Sequence, residues 1–172
     1  MVPIREDRLH PARDGEVFAA GGFRIRAVDA PGHAPHHLCY FAEEERLLFT
    51  GDAVGLYLGE TLLPTTVPPS FDLVASLATL ERLAALRPTK LLFTHFGAGS
   101  PDLLTQYGQL LRTWVGHIAR LRAEYPDEDR LVARVLAEAA RDGLALPGPG
   151  RGDLAMEVRG VIQYLAQREG AT

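Results

Sequence analysis

Residues 30–41 read APGHAPHHLCYF, and they decide how the rest of the chain is taken. A Pro-Gly turn delivers His33, His36 and His37 in quick succession, and an apolar run, HLCYFA, follows at once. This is a loop carrying imidazoles at the mouth of a strand, where a side chain has little freedom and can serve as a metal ligand. A metal needs partners. Two further stretches share the design: FTGDA at 49–53 and FTHFG at 93–97. In each, an apolar run presents one polar side chain just past its end, Asp52 in the first and His95 in the second. Imidazoles with a carboxylate suit zinc, and also iron or manganese. Gly51 allows a tight turn and a close approach to an ion.

Working outward, the first hundred residues have strand character. GEVFAA and GGFRIRAVDA are short runs bounded by Asp14-Gly15 and Gly21-Gly22, which are turn signals. Phe23, Ile25 and Ala27 alternate with Arg24, Arg26 and Val28, as in a half-buried strand. HLCYFA and RLLFTG are joined by Glu43-Glu44-Glu45, a solvated link that predicts a hairpin. A loop rich in proline and threonine, LLPTTVPPS, follows. Leu73, Leu77, Leu80 and Leu83 or Ala84 then fall on one helical stripe, with Ser70 or Asp72 to cap it and Pro88 to stop it. KLLFTHFG reads as another strand, ending in a Gly-rich turn.

From Pro101 onward the pattern is helical. Leu103, Tyr107, Leu110 or Leu111, Trp114, Ile118 and Leu121 keep the 3.6-residue period until Pro126. A second helix is predicted from about Asp127 to Asp142, with Leu131, Val132, Val135, Leu136 and Ala139 on one face and Gly143 as its stop. The loop LPGPGRGD leads to a third, lined by Leu154, Val158, Val161 or Ile162, and Leu165. The chain thus divides into a β-rich part with one inserted helix over residues 1–100 and a helical appendage over 101–172.

Composition narrows the function classes. The chain has 172 residues, enough for one domain with a real core, and 47% hydrophobic against 23% charged residues is an ordinary globular balance. A formal charge of -4 and a pI near 5.8 advertise no basic surface for nucleic acid or an acidic membrane. MVPIREDRLH is too polar for a signal peptide, and no apolar run has the length of a bilayer span. The single cysteine, Cys39, excludes an internal disulfide framework and reads as a buried, inert thiol in a strand. The expected location is the cytoplasm.

The order Pro-Gly-His, then Thr-Gly-Asp after a strand, then Thr-His after another strand, resembles the second half of the metallo-β-lactamase fold superfamily. The resemblance implies an α/β fold: the second half of an αββα sandwich over residues 1–100, followed by a helical C-terminal appendage. It also implies roles. His33 binds a first metal, His95 binds a second, and Asp52 bridges the two as the catalytic centre's shared ligand. His37 supports the ligands from behind. Tyr57, five residues past Asp52, lines the substrate pocket or packs under the Pro-rich loop. No role carries over to His36, which with His10 reads as a surface histidine. His117, beside Trp114 and Leu121, reads as a partly buried packing residue.

One departure is large. The family's most diagnostic motif, His-x-His-x-Asp-His, is absent, and only His10 lies upstream of His33. That leaves too few ligands to hold either ion firmly, since catalytic zinc takes three protein ligands plus water. It also leaves a sheet with one uncovered apolar face. The expectation is therefore a truncated chain whose open face meets a separate N-terminal half or a second copy. When complete, the resemblance implies a metal-dependent hydrolase in which hydroxide attacks a small ester, lactone or thioester. The stretch GDAVGLYLGE lacks the arginine-bearing pattern of glyoxalase-II-like enzymes, and the acidic balance argues against nuclease branches. The alternative is a non-catalytic binding or regulatory module descended from such a hydrolase. The partner implied is a small-molecule substrate, with no nucleic acid and no membrane.

Overall fold

The structure, a computed structural model, describes residues 4–141 and 151–170. Gly143, the expected stop of the second C-terminal helix, and most of the LPGPGRGD loop lie outside the described residues. Among the described residues eight strands form: β1 (Val17–Ala20), β2 (Phe23–Asp29), β3 (Leu38–Ala42), β4 (Leu47–Gly51), β5 (Leu56–Leu58), β6 (Thr61–Leu63), β7 (Lys90–Phe93) and β8 (Gly97–Gly99). Helix α1 (Leu73–Ala85) lies between β6 and β7, and α2 (Leu103–Glu124), α3 (Glu128–Arg141) and α4 (Arg151–Gly170) follow β8.

Six strands make one sheet in the order β1-β2-β3-β4-β7-β8, while β5 and β6 pair by themselves. All neighbours in the large sheet are antiparallel except β4 and β7. A parallel pair cannot be joined by a tight turn, and here the chain returns through the β5–β6 hairpin and α1. This topology has a consequence for the site. The end of β2, the start of β3 and the ends of β4 and β7 all come to the same edge of the sheet, with Gly51 registered against Phe93.

Alternation decides which residues face the helices. Cys39, Phe41, Leu48, Thr50, Leu91 and Phe93 are buried, while Tyr40 and Phe49, paired across β3 and β4, are exposed. Helix α1 is capped by Asp72, whose side chain accepts from the Ala75 amide at 2.9 Å; Ser70 takes no part. Its buried positions are Ser76, Thr79, Leu80 and Leu83, while Ala84 stays exposed. In α2 the stripe runs Leu103, Tyr107, Leu111, Trp114, Ile118 and Leu121, and Leu110 is only half-buried. In α4, Leu154, Val158, Val161 and Tyr164 are buried. The buried cluster passes without a break from strands β2, β3, β4 and β7 into α1, α2, α3 and α4, so the helices after residue 100 share one core with the sheet.

Three local features differ from the sequence expectation. Residues 56–63 form the β5–β6 hairpin within a stretch that carries no clear period. The expected Gly-rich turn after His95 continues as edge strand β8, which Gly97-Ala98-Gly99 conceals because it lacks strand-forming side chains. Glu43 is not simply solvated: its carboxylate pairs with Arg24 at 3.0 Å and with Arg26, locking the β3–β4 turn onto β2.

The face of the sheet turned away from the helices carries Phe23, Ile25, Tyr40, Phe49 and Leu92, none of them fully buried. Phe23, Tyr40 and Phe49 are 44%, 37% and 41% exposed. Among the described residues no helix is long and apolar enough to cross a membrane.

Candidate metal centre

His33 sits in the β2–β3 loop, His37 immediately before β3, Asp52 immediately after β4, and His95 in a single 3-10 turn after β7. Because these strand ends share one edge, side chains far apart in sequence meet. His33 Nε2 lies 3.9 Å from Asp52 Oδ2, and His95 Nε2 lies 3.8 Å from Asp52 Oδ1. The carboxylate thus stands between two imidazoles, one oxygen toward each. Asp52 Oδ1 is buried and makes no hydrogen bond, an arrangement that is costly unless some ligand meets it.

The surrounding contacts fix each donor. His33 Nδ1 lies 3.0 Å from the Thr65 carbonyl, which can only accept, so Nδ1 carries the proton and Nε2 turns its lone pair toward Asp52. The Asp52 backbone is held on both sides: its amide donates to His37 Nε2 at 3.0 Å, and its carbonyl accepts from Thr65 Oγ1 at 2.7 Å. Burial, and after it the neighbouring His33 imidazole, hold the His37 pKa below the usual histidine range, which keeps Nε2 an acceptor at neutral pH. His37 therefore acts from behind the carboxylate, through the Asp52 backbone. Gly51 makes the contact possible: its φ is +51°, and a Cβ there would lie 2.5 Å from the His37 ring. His95 also adopts left-handed backbone, φ 64° and ψ 28°, a conformation that costs a non-glycine residue about 1–2 kcal/mol and that recurs at functional sites.

The donor chemistry suits a divalent metal, with two imidazole nitrogens and a two-oxygen carboxylate. The donor count does not. Among the described residues no group of three or more His, Cys, Asp or Glu side chains could by itself hold a metal ion. The His–carboxylate separations of 3.8 and 3.9 Å exceed the roughly 3.3 Å between neighbouring ligands of a tetrahedral zinc. The set is the right kind and incomplete.

The three side chains open onto a cavity of 240 Å³ that is also lined by Leu56, Thr65, Val67, Met156 and Glu157. Tyr57 is not among its walls. The Tyr57 ring packs on Phe93 with centroids 5.3 Å apart, and its neighbour Leu56 faces the cavity instead. His36 is exposed, His10 pairs with Glu16 at 2.7 Å, and His117 bonds Glu138 of α3 at 2.8 Å, all away from the cavity. Sequence reasoning missed Thr65, Tyr107 and the two α4 residues. Tyr107 is fully buried, and its hydroxyl meets both the amide and the hydroxyl of Thr65, at 3.1 and 2.9 Å. Nothing in the periodicity of α2 or α4 separates these residues from ordinary core positions.

Comparison with known proteins identifies the family and the fold. The sequence profile of the metallo-beta-lactamase superfamily matches residues 2–95. The metallo-beta-lactamase fold-containing protein ST1585 of Sulfurisphaera tokodaii is 34% identical over 104 residues, 60% of this chain and 39% of that protein. The atrochrysone carboxyl ACP thioesterase nsrC of Aspergillus novofumigatus is 32% identical over 141 residues, 82% of this chain and 38% of that protein. The chain spans about two fifths of the length of these curated relatives. In three dimensions, the crystal structure of ST1585 superposes with a TM-score of 0.64 at 23% identity, covering 95% of this chain and 55% of that one. The metallo-beta-lactamase family protein TTHA1429 of Thermus thermophilus gives 0.62 at 24% identity, covering 92% and 49%. With the profile matched over more than half its length and the fold shared, the chain belongs to the metallo-β-lactamase superfamily.

Proposed function

We propose that this chain carries part of the catalytic centre of a metal-dependent hydrolase that cleaves a small ester, lactone or thioester. The observation that carries the reading is the Asp52 carboxylate, one oxygen toward His33 and the other, buried and unbonded, toward His95. His33, Asp52 and His95 are the residues that would hold the divalent metal, zinc or else iron or manganese. A bound metal supplies Lewis acidity and lowers the pKa of water toward neutrality. The chain's own residues do the positioning: the Thr65 carbonyl sets the tautomer of His33, and His37 and Thr65 grip the Asp52 backbone. Leu56, Val67 and Met156 give the cavity an apolar wall suited to the carbon part of an acyl substrate. Relatives named as thioesterases support that substrate class.

The remaining ligands come from outside this sequence, on a separate N-terminal half or a second copy that also covers the apolar face holding Tyr40 and Phe49. A second reading, a non-catalytic module descended from such a hydrolase, is favoured by the short donor count. Titration with cobalt(II) and zinc(II), together with a thioester hydrolysis assay, tests both. The hydrolase reading expects less than one tightly held ion per chain, loss of that binding in Asp52→Asn, and little or no cleavage by the isolated chain, because ligands are missing. Metal binding that Asp52→Asn leaves unchanged overturns the site. A wild-type chain that takes up neither cobalt(II) nor zinc(II) favours the module.

A further inference from the structure

Helix α4 reaches the wall of the candidate metal centre through Met156 and Glu157. Thr66 is fully buried, and three groups from distant parts of the chain seize it. Its amide donates to the Glu157 carboxylate, its hydroxyl donates to the Glu157 carbonyl at 2.8 Å, and Trp114 Nε1 donates to that hydroxyl at 3.3 Å. One turn along α4, Gly160 lies so close that a Cβ there would sit 1.6 Å from the Thr66 carbonyl oxygen. Glu157 is itself 7% exposed, an unusual place for a carboxylate unless it is bound to donors.

The residue before this clamp is Thr65, which bonds His33 through its carbonyl and Asp52 through its hydroxyl. We propose that Glu157 and Gly160 of α4 are positioning residues for the metal centre: by clamping Thr66 they fix the Thr65 carbonyl that holds His33 in its Nδ1–H tautomer with Nε2 turned toward Asp52. The helix is thereby part of the centre's outer support, the layer that orients ligands and whose loss weakens metal sites 10–100-fold. The proposal deepens the metal-site reading and rests on it for its purpose, yet its test needs no metal.

The experiment is long-range ¹H–¹⁵N spectroscopy of the histidine rings in the full chain at pH 8, where ordinary imidazoles are neutral. In the wild type, His33 is expected mainly as the Nδ1–H form. Gly160→Ala, which forces α4 and Thr66 apart, and Glu157→Ala, which removes the clamp's carboxylate, are each expected to shift the tautomer ratio about fivefold toward Nε2–H, the scale of one hydrogen bond. Glu157→Gln keeps an acceptor oxygen and is expected to retain the wild-type ratio. Glu157→Ala is the milder lesion and keeps the test open if Gly160→Ala does not fold. A wild-type His33 in the Nε2–H form overturns the proposal. So does an unchanged ratio in a folded Glu157→Ala protein whose melting temperature has dropped, because that is a packing role alone. A failure of the chain to bind cobalt(II) with the tautomer shifts intact sinks the metal reading and leaves the clamp standing.

Discussion

Gly51→Ala is the substitution that most directly weighs the local design of the site. Two terms act. The backbone at residue 51 has φ +51°, and a residue with a Cβ pays about 1–2 kcal/mol to adopt it. The new methyl would also stand 2.5 Å from Cε1 and Nε2 of His37, about 1 Å inside ordinary contact. The His37 ring meets His33 edge-on at 5.9 Å, and moving it away lengthens its 3.0 Å bond to the Asp52 amide beyond use. One lost bond adds about 1 kcal/mol. The sum is about 2–3 kcal/mol, a large part of the stability of a domain this size. Gly21→Ala is the matched control, since φ is +59° there and nothing lies within 4 Å of the new Cβ. It should cost only the backbone term. Urea unfolding monitored by circular dichroism reads the difference, and with a slope of about 2 kcal/mol/M the Gly51→Ala midpoint falls by roughly 1–1.5 M. Equal losses in the two variants would refute the reasoning, for they would mean that the His37 ring does not occupy the space that Gly51 leaves.

Other outcomes follow from the same contacts. Tyr107→Phe removes the hydroxyl shared by the Thr65 amide and side chain, leaves a buried amide unpaired, and is expected to cost about 1–3 kcal/mol in urea unfolding. Leu83→Ala, at a fully buried position of α1, should cost about 2–5 kcal/mol by the same assay, and a loss under 1 kcal/mol would mean α1 is not packed as described. Burial pushes the Cys39 thiol up to about 12, and its Sγ donates to the Thr50 carbonyl at 3.2 Å. Thiol reagents at pH 8 should therefore label it only as fast as the chain opens. The native chain keeps that proton where the unfolded chain releases it, so this group's contribution to stability is intact below about pH 9 and is lost as pH rises toward 12. Prompt labelling of folded protein would contradict the burial.

What the sequence determined by itself is strands β1 to β4 and β7, the helical stripes and the residues at strand ends. The 3.6-residue stripe of α2 is a local pattern, set by which side of one element turns inward, so a single segment reveals it. Tertiary structure decided what no segment contains. Asp52 meets His95 because β7 lies parallel beside β4, a pairing between residues more than forty positions apart. Thr65, Tyr107 and Glu157 gather around His33 because α2 and α4 share the core with the sheet. Their side chains have the types and spacing of ordinary core or loop residues, and only the packing of whole elements gives a hydroxyl or a carboxylate its particular partner.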